Sequence, residues 1–380
     1  MAPNTIDKEF SFVLEDNESE STESLITKIN NQKSTIFTKN YLSSLSRKDA
    51  GRLIDEGMYE RYDEFDKRLS SFILTIQQTL DSGNSLTSRD KLKLVEYEEK
   101  LQILNRIKNI TEDLMVIHNS SKENNTQVYN DSKDHEALGN RNIAFGHHEN
   151  LTYKDIVILN PNQFVSISGG GNHPKEAIAN TNKIKLNSIS DEEVEKIKQA
   201  KSIAKKYRDI LILVPGSTEG NDQFREGEQQ QRTNNENGSI TERGMQDAER
   251  RAFRYFDKNL KTGVKNELLK NSTDQLSKEE ETEIQIQLKK AIQENDRIPV
   301  EHKDDRFNTT LPKELSNALK EKKEELASLE INNELSKVEG NVHLYSQMTP
   351  CEFCAGVKTT LGTTFSSLKI TIKSGVKYKL

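Results

Sequence analysis

The sequence predicts an α/β fold for the C-terminal half of the chain, preceded by a largely helical N-terminal region. Two observations carry this prediction. Apolar residues recur at helical spacing between residues 69 and 114, which is typical of amphipathic helices. From about residue 188 onward, helical patterns alternate with short apolar runs that are typical of buried strands. Because such alternation is typical of layered folds, we expect a sheet covered by helices in this part.

The N-terminal region divides into a tail and a helical unit. Residues 1–37 are acidic and rich in Ser and Asn, and they are predicted to be a loose, disordered tail. Residues 38–120 are predicted to be a helical hairpin or small bundle, interrupted at residues 81–84. Its apolar positions at helical spacing are Leu69, Phe72, Ile73, Ile76, Leu80, Tyr97, Leu101, Leu104, Ile107 and Leu114. No catalytic pattern is visible there, so we expect a structural role or the binding of a partner.

Residues 121–187 are predicted to be a loop followed by a small β segment. The loop is assigned to residues 119–150, which are rich in Asn, Ser and His. Two apolar runs, at residues 156–159 and 164–167, predict a pair of strands around a turn that contains proline.

Residues 188–380 are predicted to be the α/β domain. Its first helix begins at Ser190, where acidic residues suit the N-terminal dipole, and it ends near residue 207. The continuous apolar run 210–214 predicts a buried central strand. Residues 217–238 are rich in Gln, Asn and Glu and predict a polar loop.

The middle of this domain is predicted to be helical. An amphipathic helix follows Gly244 and is expected to end at Gly263. Residues 264–338 are strongly charged and predict an inserted helical pair, with breaks at Pro299 and before Pro312.

The last part of the chain predicts a strand, a helix and a strand. Residues 342–345 form the first strand and lead into Pro350-Cys351. A short helix then runs to about residue 365, and residues 368–372 alternate as a final strand.

Composition excludes several classes of protein. The 380 residues are 32% apolar and 31% charged, with a mean hydropathy of −0.82, which predicts a modest core and much solvated helix. A net charge of −6 argues against nucleic-acid binding over the whole surface. No secretory signal and no apolar run of roughly 18 residues is visible. We therefore expect a soluble protein without a membrane partner, cytoplasmic or exported into a target or host cell by a route not visible in the sequence.

The two cysteines, Cys351 and Cys354, are three residues apart in a chain that has no other cysteine. This spacing does not suit a disulfide scaffold and indicates metal or redox chemistry. At a helix N-terminus, side chains at i and i+3 can direct both thiolates at one ion, and the helix dipole favours their deprotonated form.

Two short motifs open helices of the predicted α/β domain. Asp247-Ala248-Glu249 opens the helix after Gly244, and Pro350-Cys351-Glu352-Phe353-Cys354 opens the helix after the strand at 342–345. Together they resemble the cytidine-deaminase-like superfamily, whose signature is a ligand-x-Glu motif at one helix start and Pro-Cys-x-x-Cys at the next. With Asp in place of the usual His, the pattern is most similar to deaminase domains of bacterial toxins and effectors. The resemblance covers about residues 188–380 outside the insertion.

This resemblance implies a three-layer α/β/α fold and a catalytic Zn²⁺ held by Asp247, Cys351 and Cys354. It implies that Glu249 moves protons between water, the ring nitrogen and the leaving amine, so that a nucleobase loses ammonia. Cytosine is favoured over adenine. The implied partners are a nucleic-acid or nucleoside substrate, with an immunity or delivery protein as a further candidate.

The sequence departs from the family pattern in charge and in spacing. With two thiolates and one carboxylate, a Zn²⁺ site would carry a net charge of about −1, which makes bound water less acidic. Arg250, Arg251 and Arg254 could compensate, although ordinary charges on a helix surface are the favoured interpretation. The long gap between the motifs is assigned to the insertion at 264–338.

Other interpretations of these motifs remain open. Cys351 and Cys354 could form a thiol-disulfide redox pair, or a structural zinc site in a catalytically inactive module that binds a partner. His147-His148-Glu149 contains a literal His-x-Glu, although it precedes an expected strand. His343 is predicted to be an ordinary strand histidine rather than a ligand. Tyr345 and Met348 could line a base pocket or pack in the core.

The C-terminal segment carries a local basic patch. Residues 341–380 contain five lysines and one glutamate, which gives a net charge of about +4 without the chain terminus. Such a patch suits a phosphate-bearing substrate and favours nucleic acid over a free nucleoside. Lysines on a terminal strand could equally protect a sheet edge from aggregation.

Overall fold

The computed structural model shows a mixed α/β architecture around a six-stranded sheet, preceded by a largely helical N-terminal region. This confirms the coarse fold class that the sequence predicts. The structure describes residues 12, 20–45, 48–49, 52–53, 58–123, 142–159, 163–168, 173–186, 190–212, 248–271, 277–350 and 352–377.

The described elements follow one another along the chain. The helices are α1 (Thr22–Ile36), α2 (Lys39–Ser44), α3 (Met58–Asp81), α4 (Ser88–Glu123), α5 (His173–Lys183), α6 (Asp191–Arg208), α7 (Ala248–Asn271), α8 (Lys278–Gln293), α9 (Lys303–Glu334) and α10 (Glu352–Thr364). The strands are β1 (Lys48–Asp49), β2 (Arg52–Leu53), β3 (Ile143–Tyr153), β4 (Ile156–Val157), β5 (Gln163–Ile167), β6 (Leu211–Ile212), β7 (Val338–Met348) and β8 (Leu368–Val376). β1 and β2 form a separate two-stranded ribbon.

α3 and α4 are the two helices that the apolar spacing predicts, with a turn at residues 82–87 between them. Leu69, Ile73 and Ile76 of α3 share a core with Leu101 and Leu104 of α4. The predicted helical hairpin is therefore confirmed, and α1 packs against it as a third helix.

Residues 22–36 correct the prediction of a loose tail. They form α1, whose start is capped by the Ser21 side chain accepting a hydrogen bond from the backbone N–H of Ser24. Leu25, Ile29 and Ile36 form one apolar stripe and are buried. A stripe this sparse becomes stable as a helix because α3 and α4 supply the rest of the core.

The six-stranded sheet has the order β6-β5-β3-β7-β8, and β4 folds back onto β3. β3 pairs antiparallel with both β5 and β7. The β5–β6 and β7–β8 pairs are parallel. β3 and β7 are thus the central pair, and the sheet joins strands from residues 121–187 with strands from residues 188–380.

The sheet corrects two predictions about its strands. The loop assigned to residues 119–150 is wrong where it is described, because α4 runs to Glu123 and β3 begins at Ile143. The sequence did not predict β3 because polar residues in the strand interrupt its buried apolar ones. The strand predicted at 210–214 is present at Leu211–Ile212, but it lies at an end of the described sheet because β5 is its one described partner.

Alternate residues of the central strands point into two different cores. On one face, Ala144 and Leu344 pack with α7 and α10. On the other face, Phe145 and Tyr345 pack with α4, α5 and α6. Helices therefore cover both faces of the sheet.

α7 is longer than predicted, because Gly263 does not end it. The glycine instead allows a close contact between the helix and the chain after β4. A Cβ atom at this position would lie 2.8 Å from Ile158 Cβ and 2.9 Å from the Ile158 carbonyl oxygen. Gly263, which the sequence suggests as the end of the helix, is thus required for close packing against Ile158.

The charged segment after α7 contains the predicted helical pair, α8 and α9. Ser277 and Glu280 form a reciprocal capping box at the start of α8. The break near Pro299 is confirmed, whereas α9 continues through Pro312. Proline removes one backbone donor, and the other hydrogen bonds of a 32-residue helix hold both sides together.

The final strand, helix and strand are confirmed as β7, α10 and β8. β7 extends at both ends beyond the predicted residues 342–345, and its end leads directly to Pro350. Among the described helices, none has the length and apolar composition needed to cross a membrane.

We predict that Gly263→Ala lowers the free energy of unfolding by about 1–3 kcal/mol, although alanine has the higher helix propensity. The physical reason is the backbone and Cβ of Ile158, which must move to admit the new methyl group. Urea denaturation measures the change. The matched control is Gly362→Ala in α10, where nothing lies within 4 Å and stability should rise by up to about 1 kcal/mol. Equal stabilities of the two variants would contradict the packing role.

Candidate active site at the first turns of two helices

Two of the four predicted site residues are described, and both are buried at the start of a helix. Glu249 lies in the first turn of α7 and is 2% exposed. Cys354 lies in the first turn of α10 and is 1% exposed. Asp247 and Cys351 lie outside the described residues, one position before each helix. The polar loop predicted at 217–238 also lies outside them.

The first turn of α7 is anchored on the sheet by two hydrogen bonds. Ser166 Oγ of β5 donates to the carbonyl oxygen of Ala248 at 2.8 Å. Arg251 Nη1 donates to the carbonyl oxygen of Ile167, the last residue of β5, at 2.8 Å. α7 therefore begins directly above the end of β5.

A row of small residues crosses the sheet beneath this turn. The strand register aligns Ser166 of β5, Ala144 of β3 and Ser346 of β7, and all three are fully buried. Small side chains in adjacent strands let the helix start approach the sheet closely. This row creates the space in which the Glu249 carboxylate lies.

The Glu249 carboxylate accepts hydrogen bonds from two neutral donors, one just before β3 and one in β7. Asn142 Nδ2 donates to Glu249 Oε1 at 2.8 Å, and Ser346 Oγ donates to the same oxygen. A buried carboxylate is costly unless hydrogen bonds replace its water. The two donors offset that cost and fix the orientation of the carboxylate.

Asn142 also ties the start of β3 to the end of β7. Its Oδ1 accepts a hydrogen bond from the backbone N–H of Met348 at 3.3 Å and lies 3.4 Å from Ser346 Oγ, whose hydrogen is directed at Glu249. Gln347 extends the connection, because its Oε1 accepts from the Ile143 N–H and its Nε2 donates to Tyr62 of α3. The segment leading to Cys351 is thus held by groups from several parts of the chain.

α7 and α10 pack against each other on one face of the sheet. Burial lowers the pKa of Arg250 in α7 to about 10, and the charge that Cys354 carries when it is ionised partly opposes this decrease. Arg250 therefore remains a cation at pH 7. A cation near a sulfur favours its thiolate form, which is the form that binds metals.

The three arginines of α7 correct a prediction. Arg250, Arg251 and Arg254 are all buried, so they are not ordinary helix-surface charges. They face inward because the sheet and α10 cover this part of α7. Burial also lowers the pKa of Arg254.

The competing His-x-Glu motif lies on the opposite face of the sheet. His147 and Glu149 are on β3 rather than in a loop, and His343 of β7 is the register partner of His147. The side chains of His147 and Tyr345 share a face with α4, whereas Glu249 lies on the face of α7. Burial, followed by the neighbouring His343, holds the pKa of His147 below its ordinary value.

Tyr345 and Met348 pack in hydrophobic cores. The Tyr345 ring stacks on Phe145 at 5.2 Å in the core beneath α4, on the face opposite Glu249. Met348 packs against the core of α1, α3 and α4. Of the two roles left open by the sequence, the structure shows core packing for both.

Asn142 and Ser346 are the site residues that the sequence did not indicate. Asn142 precedes a strand that was itself missed, and Ser346 is one of many serines. The position of Ser346, five residues before Cys351 on the strand leading to it, was the one available signal. Comparison of this chain with protein-family models, curated proteins and solved structures finds no match. The chemistry of the site therefore rests on its own residues.

We predict that Ser346→Ala destabilises the fold by about 1–3 kcal/mol, because it removes a donor from the buried Glu249 carboxylate. Urea denaturation at pH 7 measures the loss. The matched control is Ser374→Ala, which changes the register partner of Ser346 on β8, where the hydroxyl is partly exposed. That control should stay within about 0.5 kcal/mol of the parent protein. A Ser346 variant as stable as the control would contradict the importance of this contact.

Proposed function

We propose that this protein is a zinc-dependent hydrolytic deaminase of a nucleobase, with cytosine favoured over adenine, and that it acts on nucleic acid as a toxin or effector. The main support is that Glu249 and Cys354 lie in the first turns of two helices packed on one face of the sheet. The sequence motifs that begin at Asp247 and Pro350 therefore belong to adjoining elements.

The architecture is compatible with a three-layer α/β/α deaminase-like fold. α7 and α10 form one layer, the mixed sheet forms the second, and α4, α5 and α6 form the third. The helical pair α8 and α9 separates the two motifs in sequence without separating α7 from α10 in space. This arrangement supports the assignment of the long gap to an insertion.

The donor set fits zinc in its chemistry. Asp247, Cys351 and Cys354 would supply one carboxylate oxygen and two sulfurs, which together with an open position is a combination suited to a catalytic zinc. When bound, zinc would act as a Lewis acid that makes water a nucleophile near neutral pH. The Arg250 cation would offset part of the extra negative charge that an Asp ligand brings in place of a neutral His.

Glu249 is proposed to move protons during the reaction. It would accept a proton from the attacking water and deliver it to the ring nitrogen, then carry the remaining proton of the added hydroxyl to the leaving amine. Water and the exocyclic amine are thereby converted into a carbonyl and ammonia. Asn142 and Ser346 are proposed to position the Glu249 carboxylate, since both donate to its Oε1.

A basic groove near the end of β8 supports a polymeric substrate. It has a volume of about 710 Å³ and is lined by six basic and two acidic side chains. Three aromatic rings, Phe65, Phe72 and Tyr97, also line it, and Lys93 Nζ lies 4.5 Å from the centre of the Phe72 ring. Basic walls and aromatic rings are the features with which proteins bind single-stranded nucleic acids.

The groove also adjoins the segment that carries the cysteines. Lys377 lines the groove and follows Val376, whose carbonyl oxygen accepts a hydrogen bond from the Thr349 N–H at 2.8 Å. Thr349 is two residues before Cys351 in the chain. A strand bound in the groove would therefore have one end beside this segment.

Glu249→Gln tests the proposed chemistry. We expect this variant to keep about one zinc per chain and to lose ammonia release by at least about 100-fold, because it removes the proton acceptor but none of the proposed ligands. Metal analysis and an ammonia assay with single-stranded DNA, double-stranded DNA, RNA and free nucleosides measure both properties. Cys351→Ser and Asp247→Ala should instead lose zinc.

The outcomes separate the proposal from its alternatives. A folded parent protein without zinc would overturn the deaminase proposal and leave a thiol-disulfide role for the cysteines. Zinc without ammonia release from any of these substrates would instead support a structural zinc site in a partner-binding module. Unchanged activity of Glu249→Gln would exclude Glu249 as the proton carrier.

Lys93→Ala and Lys377→Ala test the groove. We expect each variant to raise KM for a single-stranded polymer and to lower the salt dependence of binding by about one unit of slope, because one phosphate contact is lost. The kcat with a free nucleoside should not change. Lys290→Ala, at an exposed position of α8, is the matched control. An unchanged KM for polymers in both groove variants would contradict this binding site.

A further inference from the structure

The pairing of β3 with β7 places three metal-binding side chains together on the face opposite Glu249. His147 and His343 are direct register partners in these antiparallel strands. Glu149 is two residues after His147, so it points to the same face of the sheet. One ligand atom from each of His147, Glu149 and His343 lies within 4.8 Å of the other two.

One of these separations is already close to that around a bound ion. At a metal–ligand distance of about 2.0–2.1 Å, tetrahedral ligand atoms are about 3.3 Å apart. His147 Nε2 and Glu149 Oε1 are already 3.5 Å apart, and the two imidazole rings lie 4.7 Å apart at an angle of 14°. Side-chain rotation can therefore close the set without a change in the strand register.

The cluster is reachable from solvent. The side chain of His147 is 14% exposed and that of Glu149 is 52% exposed. Their strand neighbours Asn341 and Thr371 are polar. An ion bound here would keep part of its hydration, so the site does not need the compensating charge that a fully buried ion requires.

From this geometry we propose that His147, Glu149 and His343 form a binding site for a divalent transition-metal ion, separate from the proposed catalytic zinc. Two imidazoles and one carboxylate favour Zn²⁺ and Co²⁺ over Mg²⁺ and Ca²⁺, which prefer sets of oxygen ligands. Three protein ligands leave a coordination position for water or another ligand. The site does not depend on the proposed deaminase activity, because it uses none of the same residues.

Cobalt titration of the full chain distinguishes the two sites. Co²⁺ bound by cysteine produces thiolate-to-metal charge-transfer bands, whereas Co²⁺ bound by His147, Glu149 and His343 produces ligand-field bands alone. In the parent protein, we expect one equivalent of Co²⁺ to bind without adding to the charge-transfer absorption. We expect Zn²⁺ to displace this equivalent. Mg²⁺ and Ca²⁺ should not displace the bound Co²⁺. This spectroscopic test is valid whether or not the cysteine site binds metal.

Variants identify the ligands. The double variant His147→Asn/His343→Asn should no longer bind the Co²⁺ equivalent that shows no charge-transfer absorption. Glu149→Gln should lower the affinity for this equivalent by at least about 10-fold. Glu149 is half exposed, so its variant remains informative if the double variant does not fold. The control is His302→Asn, an exposed histidine outside the cluster, which should bind as the parent does. The absence of this equivalent in the parent, or its persistence at full affinity in Glu149→Gln and the double variant, would overturn the proposal.

Discussion

The antiparallel pairing of β3 with β7 is the constraint on which the rest of the structure depends. It aligns Ala144 with Ser346, and this pair provides the floor on which the first turn of α7 lies. Three residues further along each strand, it aligns His147 with His343 on the other face. Because successive side chains alternate between faces, a shift of one residue in this register would dismantle both groups at once.

The first turn of α7 concentrates buried polar groups that a stable core alone would not need. Glu249, Arg250 and Arg251 are almost completely buried, and each charge loses its water. Hydrogen bonds from Asn142 and Ser346, and a bond from Arg251 to Ile167, offset part of this cost. Such a network also restricts the positions of its members, which is the property that a proton-transferring carboxylate requires.

Much of the fold could be predicted from local signals. Ser190 and Glu193 predict the start of α6, where the structure shows a reciprocal capping box. The apolar spacing within 69–114 identifies α3 and α4, and the sequence after residue 340 identifies β7, α10 and β8. These elements are recognisable because their residues satisfy the periodicity of a helix or a strand without help from distant parts of the chain.

The sequence-based predictions are wrong where contacts between residues far apart in the chain determine the structure. Gly263 resembles a helix stop, but Ile158 lies against it and the helix continues. α1 resembles a tail because its few apolar residues become a core face only beside α3 and α4. The buried arginines of α7 resemble surface charges because nothing near them in sequence reveals that the sheet and α10 cover them.

The sequence by itself determined the chemical inventory of the candidate site: two cysteines and an Asp-x-Glu motif, each at the start of a predicted helix. Only the tertiary structure decided which groups surround Glu249, because Asn142, just before β3, and Ser346 of β7 are far apart in the chain. It also decided that His147 and His343 are neighbours. The physical reason is the strand register, which is set by how whole strands bury their apolar faces rather than by any short motif.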